Sequence, residues 1–169
     1  MAGFLSAHGY EPGPTQRPIS AGAISGILAT VPAIGLLQLF GSLQVEARIV
    51  GMPVAATIGA GWLLMAFAGA IYARLLGRAA NDVRGGWLFG MAFGFALWAT
   101  GAVFILPLVG NGEIPAGRPA TGVFLSLVLW GGCLGGLLPF VHRRLHLSLD
   151  EPGIAERLGP SLAAPRPAR

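Results

Sequence analysis

The side chains best able to catalyse a reaction or bind a metal lie outside the apolar runs of this chain or near their ends. The histidines are His8, His142 and His146, and Cys133 is the only cysteine. A bis-histidine haem site would need two imidazoles facing each other inside a helical bundle, and these positions do not supply them. A single cysteine forms neither an intramolecular disulfide nor a Cys-x-x-Cys metal site. The sequence therefore predicts no catalytic residue, no cofactor and no metal ligand.

The polar residues within the apolar runs favour contacts between helices over chemistry. Serine and threonine in lipid usually donate to a carbonyl one turn back in their own helix. Gln38 has no comparable local partner, and its amide favours a neighbouring helix. We predict interhelical polar contacts at Gln38, Thr30 and Thr100. The alternative use of the same three side chains is to line a narrow path for a solute.

Composition indicates a membrane protein. The chain has 169 residues, of which 54% are hydrophobic and 11% charged, whereas soluble domains are about 25% charged. Its net charge of +4 is the balance of 11 basic residues, all of them arginine, and 7 acidic residues. The arginines are scattered, and nucleic-acid binding needs a basic patch or stripe. We expect the lipid bilayer as a partner and no nucleic acid.

Four apolar runs are long enough to cross a bilayer, which takes roughly 20 residues. In lipid, backbone polar groups must be satisfied internally, so the runs are predicted to be helices. The links between them are short and favour antiparallel neighbours. The predicted fold is an all-α integral membrane protein, a four-helix up-down bundle within residues 19–144. A tail, 1–18, precedes this domain, and a Pro/Ala-rich, partly disordered tail, 145–169, follows it. The predicted spans are 19–41, 54–76, 86–109 and 120–141.

The arginines that flank these spans predict the orientation, because cytoplasmic loops are enriched in basic residues. One side carries Arg17, Arg74, Arg78, Arg84, Arg143 and Arg144. The other side carries only Arg48 and Arg118, the latter expected to form a solvated ion pair with Glu113. This distribution predicts a multi-pass protein of the bacterial inner membrane with both termini in the cytoplasm.

Glycines recur on one face of the predicted helices. In the third span Gly86, Gly90, Gly94 and Gly101 fall within one quarter of the helix circumference, at about 100° per residue. Small residues let membrane helices approach closely, which compensates for the missing hydrophobic drive in lipid. The predicted helix-packing interface consists of Gly22, Gly26, Gly61, Gly86, Gly90, Gly94, Gly101, Gly131, Gly132, Gly135 and Gly136.

Two short segments indicate an internal repeat. "GILAT" at 26–30 and "FALWAT" at 95–100 lie at similar depths in the first and third spans, which suggests two tandem hairpins. With "ISGILATVP" (24–32) and "GMAFGFALWATGAVFILPLVG" (90–110), the chain resembles the small four-span bacterial inner-membrane proteins of the YagU type. That resemblance implies the same tandem-hairpin topology and carries over no catalytic residue.

Three classes of function follow from these features. Small-residue faces on every span favour a non-catalytic accessory or structural subunit, packed against other helices in a larger membrane complex of respiratory or photosynthetic type. The alternative is a homo-oligomeric channel or small-solute transporter. A membrane enzyme is disfavoured, because no general acid, base or nucleophile lies within the spans. We therefore expect other membrane subunits, or further copies of this chain, as protein partners.

Overall fold

The computed structural model describes residues 18–80, 85–110 and 112–145, and for 77–80 it describes the backbone alone. Every regular element in these ranges is helical. In chain order they are α1 (Pro18–Leu39), α2 (Ser42–Val50), α3 (Val54–Ala80), α4 (Gly86–Leu97), the π-helical segment π1 (Trp98–Ile105), α5 (Leu106–Val109) and α6 (Arg118–Leu145).

Four stretches are long and apolar enough to cross a membrane, which confirms the predicted helical membrane class. They are Pro18–Leu39, Val54–Leu76, Gly86–Val109 and Arg118–Leu145. The predicted bounds agree to within a few residues at each end. The predicted tails lie almost wholly outside the described residues.

Helices α1 and α6 form the centre of the molecule and carry most of its buried residues. Helix α1 packs against α3 on one side and α6 on the other, while α4 packs against α6. The helices therefore follow the order α3, α1, α6, α4. Contact between α3 and α4, the two peripheral helices, is sparse.

The contacts also define the two ends of the molecule. Leu39 lies beside Arg118, whose side chain donates to the Leu39 carbonyl. Tyr72 lies beside Gly86 at the opposite end, where its hydroxyl donates to the Gly86 carbonyl. We call the end with Leu39 and Arg118 the cap end. We call the other the arginine-rich end, because Arg74, Arg143 and Arg144 belong to it.

Three aromatic side chains join all four spans. Tyr72 and Trp130 are both 0% exposed, and the Phe93 ring lies 5.2 Å from the first and 6.3 Å from the second. Trp130 Nε1 donates to the Gly26 carbonyl at 3.0 Å, and Tyr72 Oη donates to the Gly86 carbonyl at 3.0 Å. Both buried polar tips therefore have acceptors, which an apolar environment requires.

The third span changes its winding halfway across. After Leu97 the backbone becomes π-helical, and the Leu106 amide donates to the Gly101 carbonyl five residues earlier. Pro107 follows and supplies no amide hydrogen. Helix α3 contacts this span mainly along α4. Large apolar side chains of π1, such as Phe104 at 68% exposure, therefore remain uncovered.

The first link contains a helix that the sequence analysis missed. Helix α2 has nine residues and lies between Gly41 and Gly51, whose φ angles are 71° and 72°. Such left-handed conformations favour glycine because it lacks a Cβ. The two glycines reverse the chain at each end of α2 and lay it across the cap end, against α1, α3, α5 and α6.

We expect Tyr72→Phe to lower the free energy of unfolding by about 0.6–1.7 kcal/mol, since it removes one buried interhelical hydrogen bond. Thr100→Val is the control, because the exposed Thr100 hydroxyl donates to the Ala96 and Leu97 carbonyls of its own span and joins no second helix. The measurement is reversible unfolding in lipid nanodiscs, followed by tryptophan fluorescence. Equal losses for both variants would contradict the role given to Tyr72.

Candidate helix-packing site

The backbones of α1 and α3 meet at glycines. A methyl group added at Gly22 would collide with the Gly69 carbonyl oxygen, and one at Gly26 with the Met65 carbonyl oxygen. A methyl group at Gly69 would collide with the Gly22 carbonyl oxygen. We call Gly22, Gly26 and Gly69 the first seam. No side chain larger than hydrogen fits there unless the helices separate.

The backbones of α4 and α6 meet in the same way. A methyl group added at Gly90 would collide with the Gly131 carbonyl oxygen, and one added at Gly94 with the Leu127 carbonyl oxygen. In the opposite direction, Gly131 faces the Gly90 oxygen and Gly135 faces the Gly86 oxygen. We call Gly90, Gly94, Gly131 and Gly135 the second seam.

Each seam brings polar backbone atoms together without a side chain between them. Where a methyl group would collide with a carbonyl oxygen, the glycine presents a Cα hydrogen to that oxygen. Such Cα–H···O contacts recur at helix–helix interfaces, and each contributes about 0.5–1 kcal/mol. The close approach also gives dispersion contacts along both backbones. Lipid provides no hydrophobic drive to association, so these terms stabilise the helix pairs.

The two seams have equivalent contacts. Gly26 faces Met65 in the first seam as Gly94 faces Leu127 in the second. Likewise, Gly69 contacts two glycines of α1, and Gly131 contacts two glycines of α4. This register differs by two residues from the match of "GILAT" with "FALWAT", which would align Gly26 with Ala96.

The remaining glycines of the predicted interface fall into two groups. The Gly86 carbonyl accepts the Tyr72 hydrogen bond. A methyl group added at Gly132 would lie 3.2 Å from Met91 Cγ. At three others an added methyl would meet nothing within 4 Å, so they form no interface with the described part of this chain. These three are Gly61, Gly101 and Gly136.

Of the three polar residues predicted to join helices, the two threonines bond within their own spans and Gln38 contacts a neighbouring helix. Thr30 donates to the Gly26 carbonyl at 2.7 Å and Thr100 to the Ala96 carbonyl at 2.8 Å, each within its own helix. These bonds satisfy the hydroxyls locally. Gln38 is exposed and accepts from Gln44 Nε2 at 3.4 Å, which joins α1 to α2.

Tyr72 and Trp130 make the interhelical hydrogen bonds that were expected of these polar residues. The prediction missed both. The available signal was a polar-tipped aromatic ring next to small residues on a membrane helix. A long side chain can reach a carbonyl on the next helix, whereas a threonine hydroxyl stays close to its own backbone.

Two polar contacts fix the cap end. Ser42 Oγ donates to the Pro119 carbonyl at 2.8 Å, joining α2 to the start of α6. Arg118 Nη2 donates to the Leu39 carbonyl at 3.0 Å, and its guanidinium lies 5.7 Å from the centre of the Phe40 ring. A cation beside the last carbonyls of α1 is favourable. Arg118 thus makes these contacts rather than the expected ion pair with Glu113.

Glu46 lies on the packed face of α2. At about 100° per residue, the buried Ser42, Leu43 and Ala47 lie at about 0°, 100° and 140°, and Glu46 lies between them at about 40°. The exposed Arg48 is at about 240°. Burial raises the pKa of Glu46 from 4.5 to about 7. The sequence analysis missed this residue because it treated 42–53 only as a short connection between two spans.

The described residues contain no group of three or more His, Cys, Asp or Glu placed to hold a metal ion. The chain matches no family model, no curated protein and no solved structure. The helix surfaces, the seams and the cap end are therefore the basis for proposals about function.

Gly135 and Gly136 form a matched pair of neighbours in one helix. Gly135→Ala is expected to lower the free energy of unfolding by about 1–3 kcal/mol, because its methyl would push the Gly86 backbone away. Gly136→Ala is expected to leave it unchanged or raise it by up to about 1 kcal/mol, through higher helix propensity. Chemical unfolding in nanodiscs measures both. If Gly135→Ala lowers the free energy of unfolding no more than Gly136→Ala does, the second seam is not a contact between backbones.

Proposed function

We propose that this chain is a non-catalytic accessory subunit of a larger complex in the bacterial inner membrane. The supporting observation is that at three of the predicted interface glycines, Gly61, Gly101 and Gly136, an added methyl would meet nothing within 4 Å among the described residues. A helical glycine without a packing partner costs about 1 kcal/mol relative to alanine in water-exposed helices. Small positions on the outer surface give a helix from another subunit a place to approach closely.

The surfaces around two of these glycines support the same proposal. On α3, one turn beyond Gly61, Leu64 is 61% exposed, and residues three apart are neighbours on a helix surface. On π1, near Gly101, Phe104 is 68% exposed. Large apolar side chains flanking a small residue form a groove of the kind that membrane helices use for packing.

We also propose that the four spans form an up-down bundle of two tandem hairpins, with both termini in the cytoplasm. The equivalent contacts of the two seams support the hairpins. The arginines support the orientation: Arg74, Arg143 and Arg144 belong to the arginine-rich end, and Arg48 and Arg118 to the cap end. The resemblance to YagU-type proteins is consistent with this topology.

A homo-oligomeric channel or small-solute transporter is the alternative. The carboxyl of Glu46 on the packed face of α2 favours it, because a titratable group at the mouth of a bundle suits a solute path. The hydroxyls count against it. Thr30, Thr100 and Ser126 all donate to carbonyls of their own helices, which leaves fewer groups to bind a solute.

The orientation predicts the result of reporter fusions. A reporter fused after Arg144 should be active only in the cytoplasm, and one inserted at Gly112 only outside. Paired enzymatic reporters, one active on each side of the membrane, make the measurement. An external signal from the Arg144 fusion would contradict the proposed topology.

Partner capture tests the accessory role. Gly61→Leu, Gly101→Leu and Gly136→Leu should leave unfolding nearly unchanged, and at least one should lower the yield of co-purifying subunits about tenfold, or 1.4 kcal/mol. The measurement is quantitative mass spectrometry after purification in mild detergent at native expression. Leu108→Met is the control, since it keeps volume and hydrophobicity at a residue that is 83% exposed.

Two results would contradict the accessory role. One is a purified chain without co-purifying subunits that gives solute-specific flux in liposomes. The other is a stable complex whose yield none of the three leucine substitutions changes. In the first case Gln38→Leu combined with Thr100→Val should abolish flux, and the transporter proposal would replace the accessory one.

A further inference from the structure

Helix α2 is built as a small separate body at the cap end. The two left-handed glycines, Gly41 and Gly51, separate it from the spans on either side. Its direct attachments are the Ser42 hydrogen bond to Pro119, the Gln44 hydrogen bond to Gln38, the contact of Ile49 with Gly110 and the burial of its apolar face. It can therefore move as a unit through rotation at two glycines.

Glu46 is the one acidic residue of α2, and it lies on the face that packs against the spans. The charged groups at this end are few. Arg48 lies on the opposite, exposed face of α2, and Arg118 is engaged by the Leu39 carbonyl and the Phe40 ring. Glu113, before α6, is exposed and carries the same charge as Glu46 when ionised.

Among the described side chains, the other elements packed against α2 offer no compensating cation. Helices α1 and α5 contain no ionisable residue, and the described side chain of Arg74 on α3 lies at the opposite end. Desolvation is the cause of the shift that raises the pKa of Glu46 to about 7. With no cation beside it among the described residues, the carboxyl is most compatible with this position when it carries a proton.

We propose that Glu46 is a proton-binding residue that keeps α2 packed on the bundle when protonated and releases it when ionised. Glu46 is half-buried, so removing the proton leaves a partly hydrated negative charge against an apolar face, and hydrating that charge fully requires α2 to move outward. The movement exposes Leu43 and Ala47 and uncovers the cap end between the spans. The proposal goes beyond the accessory role and does not depend on it.

The direction of the pH dependence follows from linkage. The packed form binds the proton of Glu46 more tightly than a form in which the carboxyl is hydrated and has its ordinary pKa of 4.5. The preference for packing is therefore complete below that ordinary value. It is lost as the pH rises through about 7.

Thiol labelling tests the proposal on the full chain in nanodiscs. In a Cys133→Ala background, Leu43→Cys places a thiol on the packed face of α2 and Gln44→Cys one on its exposed face. The ratio of their maleimide labelling rates removes the pH dependence of the reagent itself. We expect this ratio to rise about tenfold between roughly pH 5.5 and pH 8.5, with a midpoint near that of Glu46.

Two variants assign the effect to one carboxyl. Glu46→Gln should keep the ratio low at every pH, whereas Glu113→Gln should leave the profile unchanged. A flat ratio in the parent protein would overturn the proposal. So would a pH-dependent ratio that persists in Glu46→Gln, because another group would then be responsible.

A second measurement avoids the added cysteines. The unfolding temperature of the chain, followed by tryptophan fluorescence, should fall between about pH 5 and pH 8. In Glu46→Gln this fall should be reduced, and in Glu113→Gln it should be retained. Identical profiles for the parent protein and Glu46→Gln would also overturn the proposal, even if Leu43→Cys disturbed the fold.

Discussion

The rest of the structure depends on the direct contact of helix backbones at glycine. In lipid, two helices gain little by hiding apolar side chains from each other, so their association depends on close packing and polar contacts. The seams supply both, with Cα hydrogens of one helix facing carbonyl oxygens of the next. Close approach also brings carbonyls within reach of aromatic donors. Trp130 reaches the Gly26 carbonyl, on the same α1 turn that packs against α3.

Helices α1 and α3 pack in the same way as α4 and α6, but the two pairs contact each other unevenly. Between α1 and α6 the contact is extensive and includes the Trp130 hydrogen bond. Between α3 and α4 it is sparse, and Tyr72 provides the hydrogen bond to Gly86. The side between α3 and α4 therefore leaves apolar surface for lipid or another subunit. The cap end, where the third span finishes in α5, is covered by α2.

The sequence was sufficient for the spans and most of the packing glycines, because both depend on local composition and spacing. The sequence was insufficient where a residue's contacts depend on how other helices pack around it. Gly101 shares an arc with Gly94, yet only Gly94 meets a helix, since the π-helical turn changes the direction of the face beyond Leu97. Helix α2 has only nine residues, and its stability comes from burial of one face. Glu46 could be recognised only once that face was known.

The most direct test of the backbone contacts is solid-state NMR of the chain in bilayers with ¹³C only at glycine Cα. Consecutive Cα atoms are about 3.8 Å apart, so the Gly131–Gly132 cross-peak provides an internal standard. The account predicts cross-peaks between Gly26 and Gly69 and between Gly94 and Gly131, with intensities close to that standard. Absence of both interhelical cross-peaks while the standard is strong would contradict it, because side chains or lipid would then separate the helices.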